Sequence, residues 1–433
     1  MDFLVSPGGA LTGEVRVPGD KSISHRSIML GALANGSCRI SGFLEGEDAL
    51  ATLTAFRAMG VDIQGPDHGE VLVTGVGMHG LQAPGEALDL GNAGTGMRLI
   101  AGVLAGQPFD SIVTGDASLC SRPMGRIIHP LALMEARVDA ASGDRPPLKI
   151  MGGSTLRAID YVLPMASAQV KSCVLLAGLY ASGTTTVTEP APTRDHTERM
   201  LAGFGYPVHR EGNRVSLEGG GALQAVDIDV PADISSAAFF LVGASVAPGS
   251  DLLLKHVGVN PTRTGVIAVL RAMGADITLS GEREVGGEPV ADIRVRYAPL
   301  RGIDIPSELV PLAIDEFPAL FIAAACAEGR TVLREAEELR VKESDRIAAM
   351  AEGLDTLGVT NEVLADGIVI EGGTLGGGDI VTHMDHRIAM SFAVAALRAS
   401  APIRVRGCDH VATSFPGFES LAAGLGLGIR SLN

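Results

Sequence analysis

Apolar residues in this chain alternate between two rhythms. Compact runs rich in Ala, Gly, Leu and Ile have helical spacing, and each gives way to a short β-branched stretch in which apolar and polar residues alternate. One passage sets the template. Pro18-Gly19-Asp20-Lys21-Ser22-Ile23-Ser24-His25-Arg26-Ser27 reads as a strand end, a tight turn and a helix start, with Asp20 or Ser22 as the cap. The helix continues through residues 28–34, and Asn35-Gly36 predicts its end, since glycine readily takes the left-handed conformation that closes many helices.

The same order recurs. Polar or acidic turns with small hydroxyl residues lead apolar helices at Gly91-Asn92-Ala93-Gly94-Thr95-Gly96-Met97-Arg98, Met165-Ala166-Ser167-Ala168-Gln169-Val170-Lys171-Ser172, Pro231-Ala232-Asp233-Ile234-Ser235-Ser236, Ile314-Asp315-Glu316-Phe317-Pro318 and Met384-Asp385-His386-Arg387. The apolar runs that follow predict helices over 99–105, 173–180, 237–246, 319–327 and 388–397, and strands over 184–187, 251–254, 331–333 and 403–405. Second helices are predicted over 49–59, 196–204, 264–273 and 344–357, each closed by a glycine turn and a short strand. Copies start roughly 65 to 80 residues apart, longer than common solenoid repeats. Each copy reads β-α-β-α-β-β. Generic α/β pieces would show fragments of this order, but not six copies in succession.

At 433 residues the chain exceeds one ordinary core, so six copies imply two domains of three. A seam is expected near Asp229-Val230-Pro231. A strand over 5–17 precedes the first helix and is expected to pair with the second half. The expected domains are therefore 21–230, and 1–20 together with 231–433. Helices running through each domain with their starts aimed at one cleft would bring six anion-friendly ends together, because a helix start offers unpaired N–H groups and a positive dipole end.

Composition narrows the function. Hydrophobic residues make up 46% and charged residues 19%, ample for globular cores. Net charge is −16, which disfavours a sequence-independent nucleic-acid binder, so any anionic ligand needs a local basic island. Met1-Asp2-Phe3-Leu4-Val5-Ser6-Pro7 has neither a basic nor an apolar signal region, and the apolar run 317–327 falls short of the roughly 20 residues a membrane span needs. Cys38, Cys120, Cys173, Cys326 and Cys408 are scattered without a CxxC, so neither a zinc site nor a disulfide framework is expected. A cytoplasmic protein with no membrane partner follows as the expectation.

Basic residues supply the candidate island. Lys21, Arg26, Arg98, Lys171 and Arg387 lie near copy starts. Three loops add Ser121-Arg122-Pro123-Met124-Gly125-Arg126, Pro192-Thr193-Arg194-Asp195-His196-Thr197 and Leu339-Arg340-Val341-Lys342-Glu343-Ser344-Asp345-Arg346. Any one of them could be an ordinary solvated residue, but their recurrence at one position of the copy points to carboxylate or phosphate binding. Asp315 is either a helix cap or a working carboxylate, and Glu343 either an ordinary ion-pair partner or a proton-transfer group. His25, His196 and His386 have no metal-ligand spacing, so no metal is expected. No phosphate-binding G-x-x-x-x-G-K-[ST], dinucleotide pattern or G-x-S-x-G elbow is present, so no cofactor is expected.

Gly19-Asp20-Lys21-Ser22-Ile23-Ser24-His25-Arg26, Leu90-Gly91-Asn92-Ala93-Gly94-Thr95-Gly96-Met97-Arg98, Gly115-Asp116 with Arg122-Pro123-Met124-Gly125, Arg340-Val341-Lys342-Glu343-Ser344-Asp345-Arg346, Asp315-Glu316 and Asp385-His386-Arg387 closely resemble the 5-enolpyruvylshikimate-3-phosphate synthase family over essentially the whole chain. The resemblance implies an α/β fold of two domains, each of three β-α-β-α-β-β units with buried parallel helices and the active site in the cleft between them. It implies transfer of the enolpyruvyl group of phosphoenolpyruvate (PEP) to the 5-hydroxyl of shikimate 3-phosphate, by a monomer without cofactor or metal.

The resemblance also implies roles. Lys21, Ser22, Arg26, Ser167, Ala168, Gln169, Arg194, Asp315 and Lys342 would line the shikimate 3-phosphate site. Lys21, Gly94, Arg122, Gln169, Arg346 and Arg387 would line the PEP site. Asp315, Glu343 and Lys21 would carry the chemistry. Ala168 stands where many members have a second serine, and Arg194 where many have tyrosine, as in the family's second class. Arg194 would supply the missing phosphate contact. Thr413 stands where many members have a PEP-site lysine. Two rivals remain open at this point: the sister enzyme that acts on a UDP-sugar, whose loop cysteine Cys120 does not match in spacing, and a repeat-built binding module.

Overall fold

The computed structural model describes residues 1–432. The chain divides into two compact units. One, here the N-terminal unit, comprises Gly19–Val230 with Glu284–Glu288. The other, the C-terminal unit, comprises Met1–Pro18, Pro231–Arg283 and the residues from Pro289 onward. The crossings fall after Pro18 and Val230. Nothing in the sequence signals the excursion of Glu284–Glu288.

The N-terminal unit contains α1 (Lys21–Leu33), α2 (Glu47–Ala58), α3 (Gly94–Ala105), α4 (Ala117–Ser121), α5 (Gly125–Leu133), α6 (Ala168–Gly178) and α7 (His196–Gly203). The C-terminal unit contains α8 (Ile234–Val246), α9 (Gly265–Ala272), α10 (Phe317–Cys326), α11 (Arg346–Thr356), α12 (His386–Ala395) and α13 (Phe418–Gly424). Helices α1, α3 and α6 form the centre of the first unit, and α8, α10 and α12 that of the second. Their sequences explain the position. Every residue of α8 is buried, as is every residue of α1 from Ile23 and of α6 from Val170. Beyond its polar first turns each is apolar all round, and such a stretch is stable only inside. Small residues let such helices approach closely: Gly102 of α3 faces α6, where a Cβ would lie 2.3 Å from the Cys173 carbonyl oxygen.

Among the described residues six sheets, three per unit, surround these helices on one plan. The strand before a core helix runs parallel to the strand after it, as Asp160–Val162 does with Thr184–Thr188, Leu88–Asp89 with Ser111–Thr114, and Gly378–Val381 with Ile403–Arg406. An antiparallel hairpin completes the sheets of Thr184–Thr188, Ser111–Thr114 and Arg330–Leu333. Two positions are exchanged. Thr12–Val15, before α1, pairs with Asp251–Gly258 after α8, while Leu223–Gln224 and Ile228–Asp229, before α8, pair with Ala34–Ser41 after α1. Asp2–Val5 inserts between Ile403–Arg406 and Ile429–Leu432.

Several expected boundaries move. The stretch expected as one strand over 5–17 is two strands, Asp2–Val5 and Thr12–Val15, because Gly8 and Gly9 turn the chain with φ of +80° and +111°. Helix α1 ends at Leu33 and not at Asn35-Gly36. Ala34 is already extended, and both later residues belong to the strand Ala34–Ser41. Helices α3 and α6 start at Gly94 and Ala168, earlier than their apolar runs, because the glycine-rich and polar lead-ins are wound into the first turn. The sequence pattern does not predict the short α4, α5 and α13, of 5, 9 and 7 residues, and α5 carries Pro130 inside it.

Gly102→Ala should destabilise the protein by at least roughly 1–3 kcal/mol, since the added methyl group must displace backbone in a packed core. Urea denaturation of the two proteins side by side measures this.

Candidate active site

Hydrogen bonds tie the helix starts of each unit together. In the N-terminal unit Asp20 caps α1 by accepting from the Ile23 N–H at 2.9 Å, so the chain exposes Lys21 and Ser22 in the first turn. The Lys21 ammonium lies 2.5 Å from Asp48 in the first turn of α2. Arg26, one turn further, is buried. Its Nε donates to Thr197 Oγ1 at 2.7 Å, Nη2 to Ser172 Oγ at 2.8 Å and Nη1 to the Ser22 carbonyl at 2.9 Å. Burial lowers its guanidinium to about 10, and neighbouring Arg194 pushes the same way, so Arg26 is cationic at neutral pH.

The other two core helices join this cluster. Gln169 Nε2 donates to Thr95 Oγ1 at 2.8 Å, linking the starts of α6 and α3. Ser167 caps α6 through the Val170 N–H at 3.4 Å, and Ala168 opens the helix half-buried. Arg122 follows α4; its Nη2 donates to Asn92 Oδ1 at 2.6 Å, and Asn92 in turn donates to Asp116 at 2.8 Å. Gly94 leaves room beside it: a Cβ there would sit 3.2 Å from Arg122 Nη1 and 3.0 Å from Arg98 Nη1.

The C-terminal unit builds its cluster around Arg346, whose side chain is only 1% exposed. Nε donates to Asp385 Oδ2 at 2.8 Å, Nη2 to Glu343 Oε2 at 2.6 Å and Nη1 to Asp315 Oδ1 at 3.3 Å. Burial opposes the guanidinium charge, but Asp385, Glu343 and Asp315 together outweigh it and hold its pKa above the usual arginine range. Lys342 Nζ lies 3.4 Å from Asp315 and 2.6 Å from Glu338; these carboxylates likewise overcome burial and raise its pKa. Arg387 donates to the Asp315 carbonyl at 3.0 Å. Asp315 does not cap α10, whose cap position is Glu316. Its carboxylate faces Lys342 and Arg346. Glu316 instead accepts from the Ser235 hydroxyl at the start of α8.

The family model for EPSP synthase (3-phosphoshikimate 1-carboxyvinyltransferase) matches residues 5–421. The chain belongs to the EPSP synthase family. A 3-phosphoshikimate 1-carboxyvinyltransferase of Alkalilimnicola ehrlichii is 67% identical over 430 residues, covering 99% of this chain and 96% of that protein. One of Methylococcus capsulatus is 65% identical over 428 residues, covering 99% and 98%. A solved EPSP synthase structure from Acinetobacter baumannii superposes with a TM-score of 0.91 at 59% identity, covering 99% of each chain. The expected family, α/β fold class and enolpyruvyl transfer activity are borne out.

Within this EPSP synthase fold, one cluster gathers Lys21, Ser22, Arg26, Gly94, Arg122, Ser167, Ala168 and Gln169, and the other gathers Asp315, Lys342, Glu343, Arg346 and Arg387. Arg194 is half-buried on the segment before α7, near enough to Arg26 to act on its charge. Lys171, expected with the anion-binding residues, is instead fully buried between Glu189 and Glu198. Thr413 is buried and donates to the His410 carbonyl at 2.7 Å. His25 is buried against Thr52, and burial, aided by Lys21 and Arg26, lowers its pKa to about 3, so it is neutral. Cys120 packs its thiol on the Gly115 carbonyl at 3.3 Å. Sequence reasoning missed Asp48, which looks like any acid in a first helical turn, and the hydroxyls of Ser172 and Thr197 that hold Arg26.

Asp385 sets a pH dependence. Burial raises its pKa, but Arg346 outweighs burial, so its folded value lies below the ordinary 3.8. Its contribution is complete above the unfolded pKa and is lost as pH falls through the folded one. Asp385→Asn, which leaves Arg346 less compensated, should cost roughly 3–5 kcal/mol at pH 7. The gap to wild type should narrow below about pH 4, as urea unfolding across pH would measure.

Proposed function

We propose that the two clusters form the two halves of one site, with PEP and shikimate 3-phosphate held between the units. Lys21, Ser22, Arg26, Ser167, Ala168, Gln169 and Arg194 bind shikimate 3-phosphate, completed by Asp315 and Lys342. Lys21, Gly94, Arg122, Gln169, Arg346 and Arg387 bind PEP. Arg194 and the helix starts suit the phosphate dianion, because guanidinium forks and first-turn N–H groups match its oxygens.

The reaction is that of the family. The 5-hydroxyl oxygen attacks C2 of PEP while the methylene carbon takes a proton. The tetrahedral intermediate then loses phosphate from C2 and a proton from the new methyl group, restoring the double bond. Asp315 takes the hydroxyl proton, Glu343 serves the methylene carbon and Lys21 assists the leaving phosphate. The observation that carries this reading is Asp315: a carboxylate relieved of capping lies 3.4 Å from Lys342 and 3.3 Å from Arg346, placed to accept a proton. Shikimate 3-phosphate draws the units together and excludes water, which strengthens every charge interaction in the site. The net charge of −16 supports small-molecule substrates over nucleic acid. In this reading the enzyme acts as a cytoplasmic monomer without a membrane partner. Among the described residues no helix is long and apolar enough to cross a membrane.

Asp315→Asn should lower kcat by about 10²–10⁴-fold, as expected when one proton-transfer group is lost. Phosphate release with PEP and shikimate 3-phosphate, each omitted in turn, measures both the activity and the loss; near-normal turnover in the variant would refute the role of Asp315.

A further inference from the structure

Lys171 is a fully buried ammonium that the reaction does not use. It lies on α6, 2.7 Å from Glu198 Oε1 and 2.9 Å from Glu189 Oε1. Arg210 approaches the same two carboxylates at 3.8 and 3.4 Å, and the Thr193 hydroxyl also donates to Glu189. Two cations therefore face two carboxylates, and the set is even in charge. Burying an uneven set is costly, because a lone charge in a dry interior has no water to stabilise it.

This set adjoins Arg26. Ser172 follows Lys171 in sequence and Thr197 precedes Glu198, and these two hydroxyls, themselves 2.7 Å apart, hold the Arg26 guanidinium. All three acceptors of Arg26 are uncharged oxygens. Its positive charge thus remains available to an anion, although Glu198 is the carboxylate that acts on it most strongly.

We propose that Lys171 is a positioning residue for the shikimate 3-phosphate site: it engages the Glu198 carboxylate, so that Glu198 does not pair with Arg26 and compete with the substrate's phosphate. The inference rests on the assignment of Arg26 to shikimate 3-phosphate. Without Lys171, Glu198 keeps only the more distant Arg210 and turns toward Arg26, whose charge it then neutralises. Removing the carboxylate as well restores the balance.

Steady-state phosphate release by the full-length enzyme, with each substrate varied, tests this. Lys171→Met should raise the KM for shikimate 3-phosphate by about tenfold or more, while the KM for PEP changes by less than about twofold. The double variant Lys171→Met/Glu198→Gln should bring the shikimate 3-phosphate KM back to within about threefold of wild type. A residue that merely filled space would not be rescued by a second change to its partner. An unchanged shikimate 3-phosphate KM in Lys171→Met, or equal changes for both substrates, overturns the proposal. If Lys171→Met does not fold, the double variant decides, and its failure to fold or to recover the KM overturns the proposal as well. A wild-type enzyme that fails to turn over this substrate pair would instead sink the assignment of the site itself.

Discussion

Placing core helices side by side with their starts gathered at one end is electrostatically awkward. Each start carries orphan N–H groups and the positive end of a dipole, and neighbouring dipoles pointing the same way repel. The protein answers partly with its own oxygens. Asp20, Ser167, Asp233 and Asp385 each accept from a first-turn N–H. Yet it also adds Lys21, Arg26, Arg98 and Arg387 at those same ends, which deepens the positive field. A protein of net charge −16 thus places cations where its backbone is already positive, and Asp48 answers Lys21 only in part, an arrangement that suits an anionic ligand.

The two units handle the excess differently. Around Arg26 the acceptors are hydroxyls and a carbonyl, so the guanidinium keeps its charge for a partner. Around Arg346 the acceptors are carboxylates, so charge is largely matched within the cluster. The first environment suits anchoring a phosphate. The second suits acids that must hold and release protons against fixed cations.

Much of this was legible in the residues. The six-fold alternation announced the repeat because each helix buried on every side is apolar beyond its polar first turns, and that leaves a mark composition alone does not. The acidic and hydroxyl lead-ins announced the caps. What was not legible came from tertiary context. Lys171 sits at the same place in its copy as the cations proposed to bind substrate, and only the buried Glu189 and Glu198, 18 and 27 residues on in the chain, reveal that it turns inward. Asp315 had two equal readings until Glu316 took the cap position. Gly36 looked like a helix stop because a left-handed glycine, here at φ +106°, serves a strand irregularity as readily as a helix end.

The exchanged strands have a consequence for how the chain is made. Thr12–Val15 leaves the ribosome well before its partner, Asp251–Gly258, which follows more than 230 residues later. Until then the segment is an unpaired edge that could join a foreign sheet. Its sequence, Thr-Gly-Glu-Val, is short, carries a charge and contains a glycine at φ +104°, features that discourage such pairing. The N-terminal unit, which lacks only Glu284–Glu288 once the strand ending at Asp229 is made, can largely close first and leave this lead segment waiting. Birth order and final architecture thus run in opposite directions here, and a strand made before the whole N-terminal unit belongs to the half completed last.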